Sequence, residues 1–269
     1  MSSSNQAVEF MPTHIDVGAQ RVSMQVAGSG PTLVLFHSLL ADASSFALIA
    51  GQLAATHRVL LLDLPGFGDS DRVDGGLEAV ADRVASALQQ FAADGKMIFL
   101  GNGYGGFVAL LTAIRHPELA ARLVLADCGA KFSEPGRAAF LGMSAAAAKG
   151  GLGLIADVAM RRLFAPSYQA LHPELIARRK ARFLELDLQT FHNACQALAG
   201  LDLLDQLASV KVPALVLVGE MDEATPPAMS SELAAGLPNA ELVVLPDCAH
   251  VPQLQAPELF LASIAKFIG

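Results

Sequence analysis

Short apolar runs alternate with stretches of helical period along most of the chain. Thr32–Phe36, Arg58–Leu62, Met97–Leu100 and Leu123–Ala126 are largely apolar and bounded by turn formers, the pattern of strands buried on both faces of a parallel sheet. Helical periodicity fills the intervals. One helix, capped by Ser44 or Ser45, runs to about Ala55, a second covers Leu77 to Ala92, and a third covers Gly105 to Arg115. Ahead of them, His14–Val17 and Arg21–Ala27 predict a β pair, closed by the turn residues Gly28-Ser29-Gly30-Pro31. After Asp127 the alternation stops, and residues 131–208 read as helical throughout. It resumes with a strand at Ala214–Val218, a helix from Pro227 to Gly236, a strand at Glu241–Leu245 and a terminal helix to Ile268. The expected fold is α/β: a mostly parallel twisted sheet with helices on both faces. Its core is 1–130 with 209–269, and 131–208 forms a helical lid over the sheet's C-terminal edge, where open α/β sheets bind ligands.

Composition narrows the class. At 269 residues the chain suits one large domain with an insert. It is 53% hydrophobic, yet no stretch reaches the roughly 18 apolar residues of a membrane-spanning helix. Net charge is −8, and the basic concentrations, Arg161-Arg162 and Arg178 to Arg182, read as solvated helix faces, which argues against nucleic acid. Cys128, Cys195 and Cys248 are too widely spaced for a zinc site or a disulfide framework. Met1 to Met11 lacks the basic and apolar regions of a secretory signal, so a cytoplasmic location is expected. No metal or organic cofactor is implied, and the protein is expected as a monomer or homodimer.

Residues 101–106, Gly-Asn-Gly-Tyr-Gly-Gly, support two readings. Gly101-x-Gly103-x-x-Gly106 satisfies the dinucleotide fingerprint, and Asp127 lies where a ribose-binding acid belongs. That reading makes the chain an oxidoreductase. Alternatively Gly101-Asn102-Gly103-Tyr104-Gly105 is the nucleophile elbow G-x-S-x-G with glycine in the serine position. Three segments favour the elbow. His37-Ser38-Leu39-Leu40 follows a strand at once and suits an oxyanion-hole turn. Gly219 to Asp222 ends a strand far downstream, and Asp247-Cys248-Ala249-His250 follows the last one. Nucleophile, acid, histidine is the order this elbow requires.

Through these residues the chain resembles the α/β-hydrolase superfamily. Asp63-Leu-Pro-Gly66-Phe-Gly68-Asp-Ser70 is similar to the glycine-rich loop that family carries after its fourth strand, so the likeness spans nearly the whole chain. Within the family it most resembles 3-oxoadipate enol-lactonases, through Ser38-Leu39, Gly150 to Asp157, Leu163 to Pro166 and Ala197 to Asp202. The pair Gly101-Asn102 is also similar to carbon–carbon bond hydrolases of aromatic ring cleavage. The chain has no tryptophan, a departure from the lactonase lid.

The resemblance implies Gly103 at the nucleophile position, Asp222 as acid, His250 as base, and the backbone N–H groups of Leu39 and Tyr104 as the oxyanion hole. Asp127 is an alternative acid or a structural acceptor, and Cys248 is expected to pack. Phe132, Phe140, Met143, Phe164, Phe183 and Phe191 would form an apolar ceiling. Ser38, Lys131, Arg161, Arg162 and His192 are candidates for holding substrate, the basic ones through a carboxylate. The expected activity is hydrolysis of a small ester, lactone or vinylogous diketone. Glycine at 103 leaves three forms of it open: a disabled Ser-His-Asp site, a serine-less site where His250 and Asp222 serve as general base for hydrolysis, lyase or isomerase chemistry, and a ligand-binding pseudo-enzyme.

Overall fold

A computed structural model describes residues 8–92 and 95–269. The expectation of no secretory signal falls on Met1 to Met11, of which 1–7 lie outside the described residues. Met11–Val17 (β1) and Gln20–Ala27 (β2) pair antiparallel at one edge of an eight-stranded sheet. The other strands are Thr32–Phe36 (β3), Arg58–Leu62 (β4), Met97–Asn102 (β5), Ala120–Ala126 (β6), Ala214–Gly219 (β7) and Ala240–Leu245 (β8). Their order is β1-β2-β4-β3-β5-β6-β7-β8; β2 runs antiparallel to β4, and every pairing from β4 to β8 is parallel. The continuous apolar runs fill the middle of the sheet, where both faces are covered. At the edges the pattern breaks: β1 alternates exposed and half-buried positions, and β8 leaves Leu242 and Val244 exposed.

The helices of the core are Ala47–Leu53 (α1), Leu77–Phe91 (α2) and Tyr104–Arg115 (α3). Between β6 and β7 come Glu134–Gly150 (α4), Ala156–Leu163 (α5), Pro166–Leu171 (α6), Pro173–Leu184 (α7) and Leu188–Gly200 (α8). Pro227–Gly236 (α9), Pro252–Gln255 (α10) and Pro257–Ile268 (α11) complete the chain. The two-residue period of the strands sorts side chains between two cores. Leu33 and Leu35 of β3 pack on the side that carries α1 and α11, whereas Val34 and Phe36 face α2, α3 and the inserted helices.

The helix expected to start at Ser44 or Ser45 starts differently. Asp42 is the cap, accepting Ser44 N–H at 2.9 Å, and it opens a 3-10 turn over Ala43–Phe46 before α1. The hydroxyl of Ser44 bonds to the same carboxylate instead of capping. The insert is closed at its base, where Lys131 and Asp202 form an antiparallel bridge and Leu203 N–H donates to Ala130 O at 2.9 Å. It is tied to the core at a second point. Arg179 and Arg182 of α7 both bind the Asp42 carboxylate, at 3.1 and 2.9 Å, and Arg179 also donates to Ser44 Oγ at 2.8 Å. No helix among the described residues is long and apolar enough to cross a membrane.

Candidate active site

The chain turns from β5 into α3 at Gly103, whose φ of 55° and ψ of −122° lie where side chains are strained. The flanking glycines answer to close packing. A Cβ on Gly101 would overlap the Gly105 carbonyl, and one on Gly105 would overlap the Phe36 and His37 carbonyls at the end of β3. Strand–helix contact therefore accounts for the glycine pattern without a pyrophosphate. Asp127, the expected ribose acid of that alternative, is fully buried and accepts Gly219 N–H at 2.8 Å, out of reach of a ligand.

Three loops converge on this bend. From the end of β7 comes Asp222, buried, accepting N–H groups of Ala224 and Thr225 at 2.7 and 3.1 Å and the Thr225 hydroxyl at 2.6 Å. After β8 the chain reverses at Asp247 (φ 56°) and delivers His250. Its Nδ1–H donates to Asp222 Oδ2 at 2.8 Å, which fixes the tautomer and leaves Nε2 as an acceptor. Nε2 faces Ser38 Oγ at 3.4 Å. Asn102 locks the arrangement, donating to His250 O at 2.8 Å and accepting from Gln253 at 3.0 Å.

The electrostatics follow from burial and partners. Burial pushes the Asp222 carboxyl up, but the His250 charge, with hydrogen bonds from His250 and Thr225, holds it below the usual carboxylate range. Asp127 goes the other way: burial, then the adjacent Asp222 charge, raise it well above its ordinary value. Donor atoms of Asp127, Asp222 and His250 lie within 4.8 Å of one another, the spacing of a metal cluster, but those of Asp222 and His250 are engaged with each other. His37 is buried, and desolvation lowers it to about 4. It accepts Leu64 N–H at Nε2 (3.2 Å), so its Nδ1–H donates to Ser38 O at 3.0 Å and fixes the turn after β3.

A cavity of about 30 Å³ lies over Gly103, lined by Ser38, Leu39, Tyr104, Phe140, Arg162 and His250 among others. A larger groove of about 870 Å³ runs between α1 and α7. It shares Leu39 but reaches neither Gly103 nor His250, so of the two spaces only the smaller touches the imidazole and the bend. Neither Leu39 N–H nor Tyr104 N–H is committed to a hydrogen bond among the described residues.

Other expected ligand contacts lie elsewhere. Lys131 pairs with Asp202 at the base of the insert. Phe164 stacks on Tyr168 and Phe191 meets Phe183 edge-on, both inside the insert's own core. His192 bonds to Ser144 Oγ at 2.6 Å between α4 and α8. Arg161 is exposed, because α5 buries Ala156, Ala159, Met160 and Leu163 and so turns residue 161 outward. Arg162 flanks that stripe and reaches the cavity, its guanidinium 5.5 Å from the Phe140 ring centroid.

Residues 33–263 match the family model described as "Alpha/beta hydrolase family". The chain belongs to that family. This α/β-hydrolase is 29% identical over 259 residues to the pimeloyl-[acyl-carrier protein] methyl ester esterase of Aeromonas salmonicida, covering 92% of this chain and 99% of that protein. It is also 29% identical, over 93% of its length and 91% of the other, to the 2-hydroxy-6-oxononadienedioate/2-hydroxy-6-oxononatrienedioate hydrolase of Paraburkholderia phymatum. Among solved structures it is similar to the enol-lactonase from Burkholderia xenovorans LB400, with a TM-score of 0.89 and 26% identity, covering 95% of this chain and 99% of that one. The expected likeness to lactonases and carbon–carbon hydrolases is thereby found, with esterases beside them.

Several residues that build this candidate site carry no sequence signal. Thr225 and Gln253 act through side-chain hydrogen bonds to Asp222 and Asn102, and nothing in their neighbours' pattern marks them. His37 stood inside a recognised segment, but its role depends on Leu64, whose N–H comes from the loop after β4. The thiol of Cys248 is buried, and desolvation pushes it up to about 11, in keeping with packing and not nucleophilic chemistry.

Proposed function

We propose that this α/β-hydrolase cleaves a small ester or lactone that bears a carboxylate. His250, oriented by Asp222, takes the proton of the attacking hydroxyl at Nε2, and the N–H groups of Leu39 and Tyr104 receive the carbonyl oxygen as charge develops on it. The observation that carries this reading is the imidazole itself: Nδ1 is held by Asp222 at 2.8 Å while Nε2 opens beside Gly103 at the cavity. A binding protein has no use for that tautomer lock.

Arg162 supplies the substrate's second anchor. It is half-buried, lies against Phe140, and faces the same cavity as His250, where a guanidinium would take a carboxylate bidentately. Phe132, Phe140 and Leu198 close the cavity from the insert side, so the insert serves as the lid and must part to admit any acyl group. The relatives support the substrate range: an ester, a lactone and a dioate are cleaved, by their names, on this scaffold.

Steady-state hydrolysis of short methyl and p-nitrophenyl esters and of γ- and enol-lactones, each with and without a carboxylate, tests the reading. Turnover should fall by about 10³-fold or more in His250→Ala, and Arg162→Ala should raise KM for the carboxylate-bearing members only. Tight binding without turnover across the panel, or turnover indifferent to His250→Ala, would overturn it.

A further inference from the structure

We propose that Ser38 is the nucleophile of this hydrolase, so that the attacking hydroxyl comes from the turn after β3 instead of from the elbow. The proposal rests on the reading of His250 and Asp222 as the base pair and names the group that pair activates.

The first support is position. Ser38 is buried, lines the cavity, and holds its Oγ 3.4 Å from His250 Nε2. The other hydroxyl near the imidazole, Thr225 Oγ1, lies on the wrong side of the ring: it is 3.3 Å from Nδ1 and donates to Asp222. Ser38 is therefore the hydroxyl set to give its proton to the free nitrogen. The separation is long for a hydrogen bond, as such contacts are before substrate closes the site.

The second support is occupancy. A Cβ on Gly103 would sit 2.6 Å from Ser38 Oγ, 2.7 Å from His250 Nε2 and 3.1 Å from Ser38 Cβ. The space that a side chain at the elbow would use is the space Ser38 fills, within a bond length or two. Glycine at 103 and serine at 38 are complementary: one withdraws a side chain, the other delivers a hydroxyl there.

The third is rigidity. The carbonyl of Ser38 is pinned by His37 Nδ1–H at 3.0 Å, and His37 is itself held by Leu64 N–H and stacked edge-on against Phe67 at 4.7 Å. The next N–H along the chain belongs to Leu39, so one fixed turn presents both the hydroxyl and an uncommitted donor for the oxyanion.

The chemistry balances without a further reactant. Ser38 Oγ bonds to the carbonyl carbon as its proton passes to His250 Nε2. The bond from carbon to the leaving oxygen breaks, and that oxygen takes the proton from Nε2. Water then attacks the acyl group, giving a proton to Nε2; the Oγ–carbon bond breaks and the proton returns to Oγ.

The test is covalent capture on the full chain. With diisopropyl fluorophosphate, Oγ displaces fluoride at phosphorus, and peptide mass spectrometry should find the adduct on Ser38, absent in Ser38→Ala and formed about 10³-fold more slowly in His250→Ala. Ser38→Ala should lower kcat of ester hydrolysis by about 10³-fold or more with little change in KM. Adding Gly103→Ser to Ser38→Ala should restore turnover and move the adduct to residue 103, because the competing oxygen is gone. An adduct elsewhere, or His250-dependent turnover that survives Ser38→Ala, would overturn the role of Ser38 and leave the base pair standing. A chain inert to both probes overturns the Ser38 assignment; Gly103→Ser in the Ser38→Ala background then decides the rest, since turnover gained there preserves the base pair and none removes it.

Discussion

Two buried carboxyls stand behind His250, and asparagine at each in turn separates them. Asp222 uses Oδ1 for the N–H groups of Ala224 and Thr225 and Oδ2 for His250 Nδ1–H and the Thr225 hydroxyl. In Asp222→Asn the amide oxygen must keep the two backbone donors, so the NH2 faces His250. The imidazole can accept that NH2 only by moving its proton to Nε2, and the lone pair that would take the nucleophile's proton is lost. The rate should fall by about 10³- to 10⁴-fold, roughly 4–5.5 kcal/mol of transition-state stabilisation at about 1.4 kcal/mol per decade.

Burial and then the charge of Asp222 raise the Asp127 carboxyl well above the usual carboxylate range, which favours its protonated form, and asparagine is the isostere of that form. The amide oxygen keeps Gly219 N–H at 2.8 Å, and the substitution forfeits only the 3.4 Å contact from Asn102, whose stronger bond to His250 O at 2.8 Å remains. One ordinary hydrogen bond is worth about 1 kcal/mol, so Asp127→Asn should cost less than about tenfold in rate. The assay is kcat and kcat/KM on one carboxylate-bearing ester near pH 8, with urea melts to show that both variants are folded. Equal losses, or a larger loss in Asp127→Asn, would refute the assignment and make Asp127 the partner of His250.

Further predictions test how the site is held. The His37 ring should stay neutral from pH 8 down to about 4, read from its imidazole C–H shifts; an inflection near 6.5 would refute its burial as the base of the Ser38 turn. Because its folded pKa lies below its unfolded value, the unfolded chain binds the extra proton between pH 6.5 and 4. His37 therefore removes stability as pH falls through that window, on the order of 3 kcal/mol in all. Asp42 is held down at about 2, burial notwithstanding, by the Arg179 charge and hydrogen bonds from Ser44 and Arg179. Its stabilisation is complete above about pH 4 and disappears as pH falls through 2. Asp42→Asn should therefore cost about 2 kcal/mol at pH 7 after discounting for its partial exposure, a difference in urea midpoint that narrows in acid. Gly142 lies exposed inside α4 with open space at its Cβ, so Gly142→Ala should stabilise by about 1 kcal/mol. Gly105→Ala, which drives a methyl into the Phe36 and His37 carbonyls, should cost upward of about 4 kcal/mol or abolish folding.

The fold was legible wherever burial is uniform. β3, β4 and α9 begin and end where the sequence places them, because a strand covered on both faces is a continuous apolar run bracketed by turn formers. The reading slipped where a tertiary partner replaces a local signal. β6 begins at Ala120, not Leu123, since Arg122 sits in the strand with its guanidinium donating to Phe267 O at 2.7 Å. The first helix moved because Asp42, which no capping pattern singles out over Ser44, is drawn into place by two arginines of α7 that lie 137 and 140 positions away.

The site divides along the same line. Its backbone half is written locally: glycines at fixed offsets permit the bend at 103, and the residues after β3, β7 and β8 must reach the same sheet edge once the strand order is known. The half from the insert is not, because in an all-helical stretch the phase of each helix decides everything, and one residue is a rotation of about 100°. That angle separates the solvated Arg161 from Arg162 at the cavity. Position 103 shows the limit most sharply. In sequence it is a missing hydroxyl, and the natural inference is a disabled site. In space the imidazole of His250 meets a hydroxyl 212 residues away, on Ser38, in the room the glycine leaves open. Loss at one position and supply at another cannot be weighed until both are measured against the same nitrogen, which is why the nucleophile of this hydrolase has to be sought by distance to His250 and not by place in the motif.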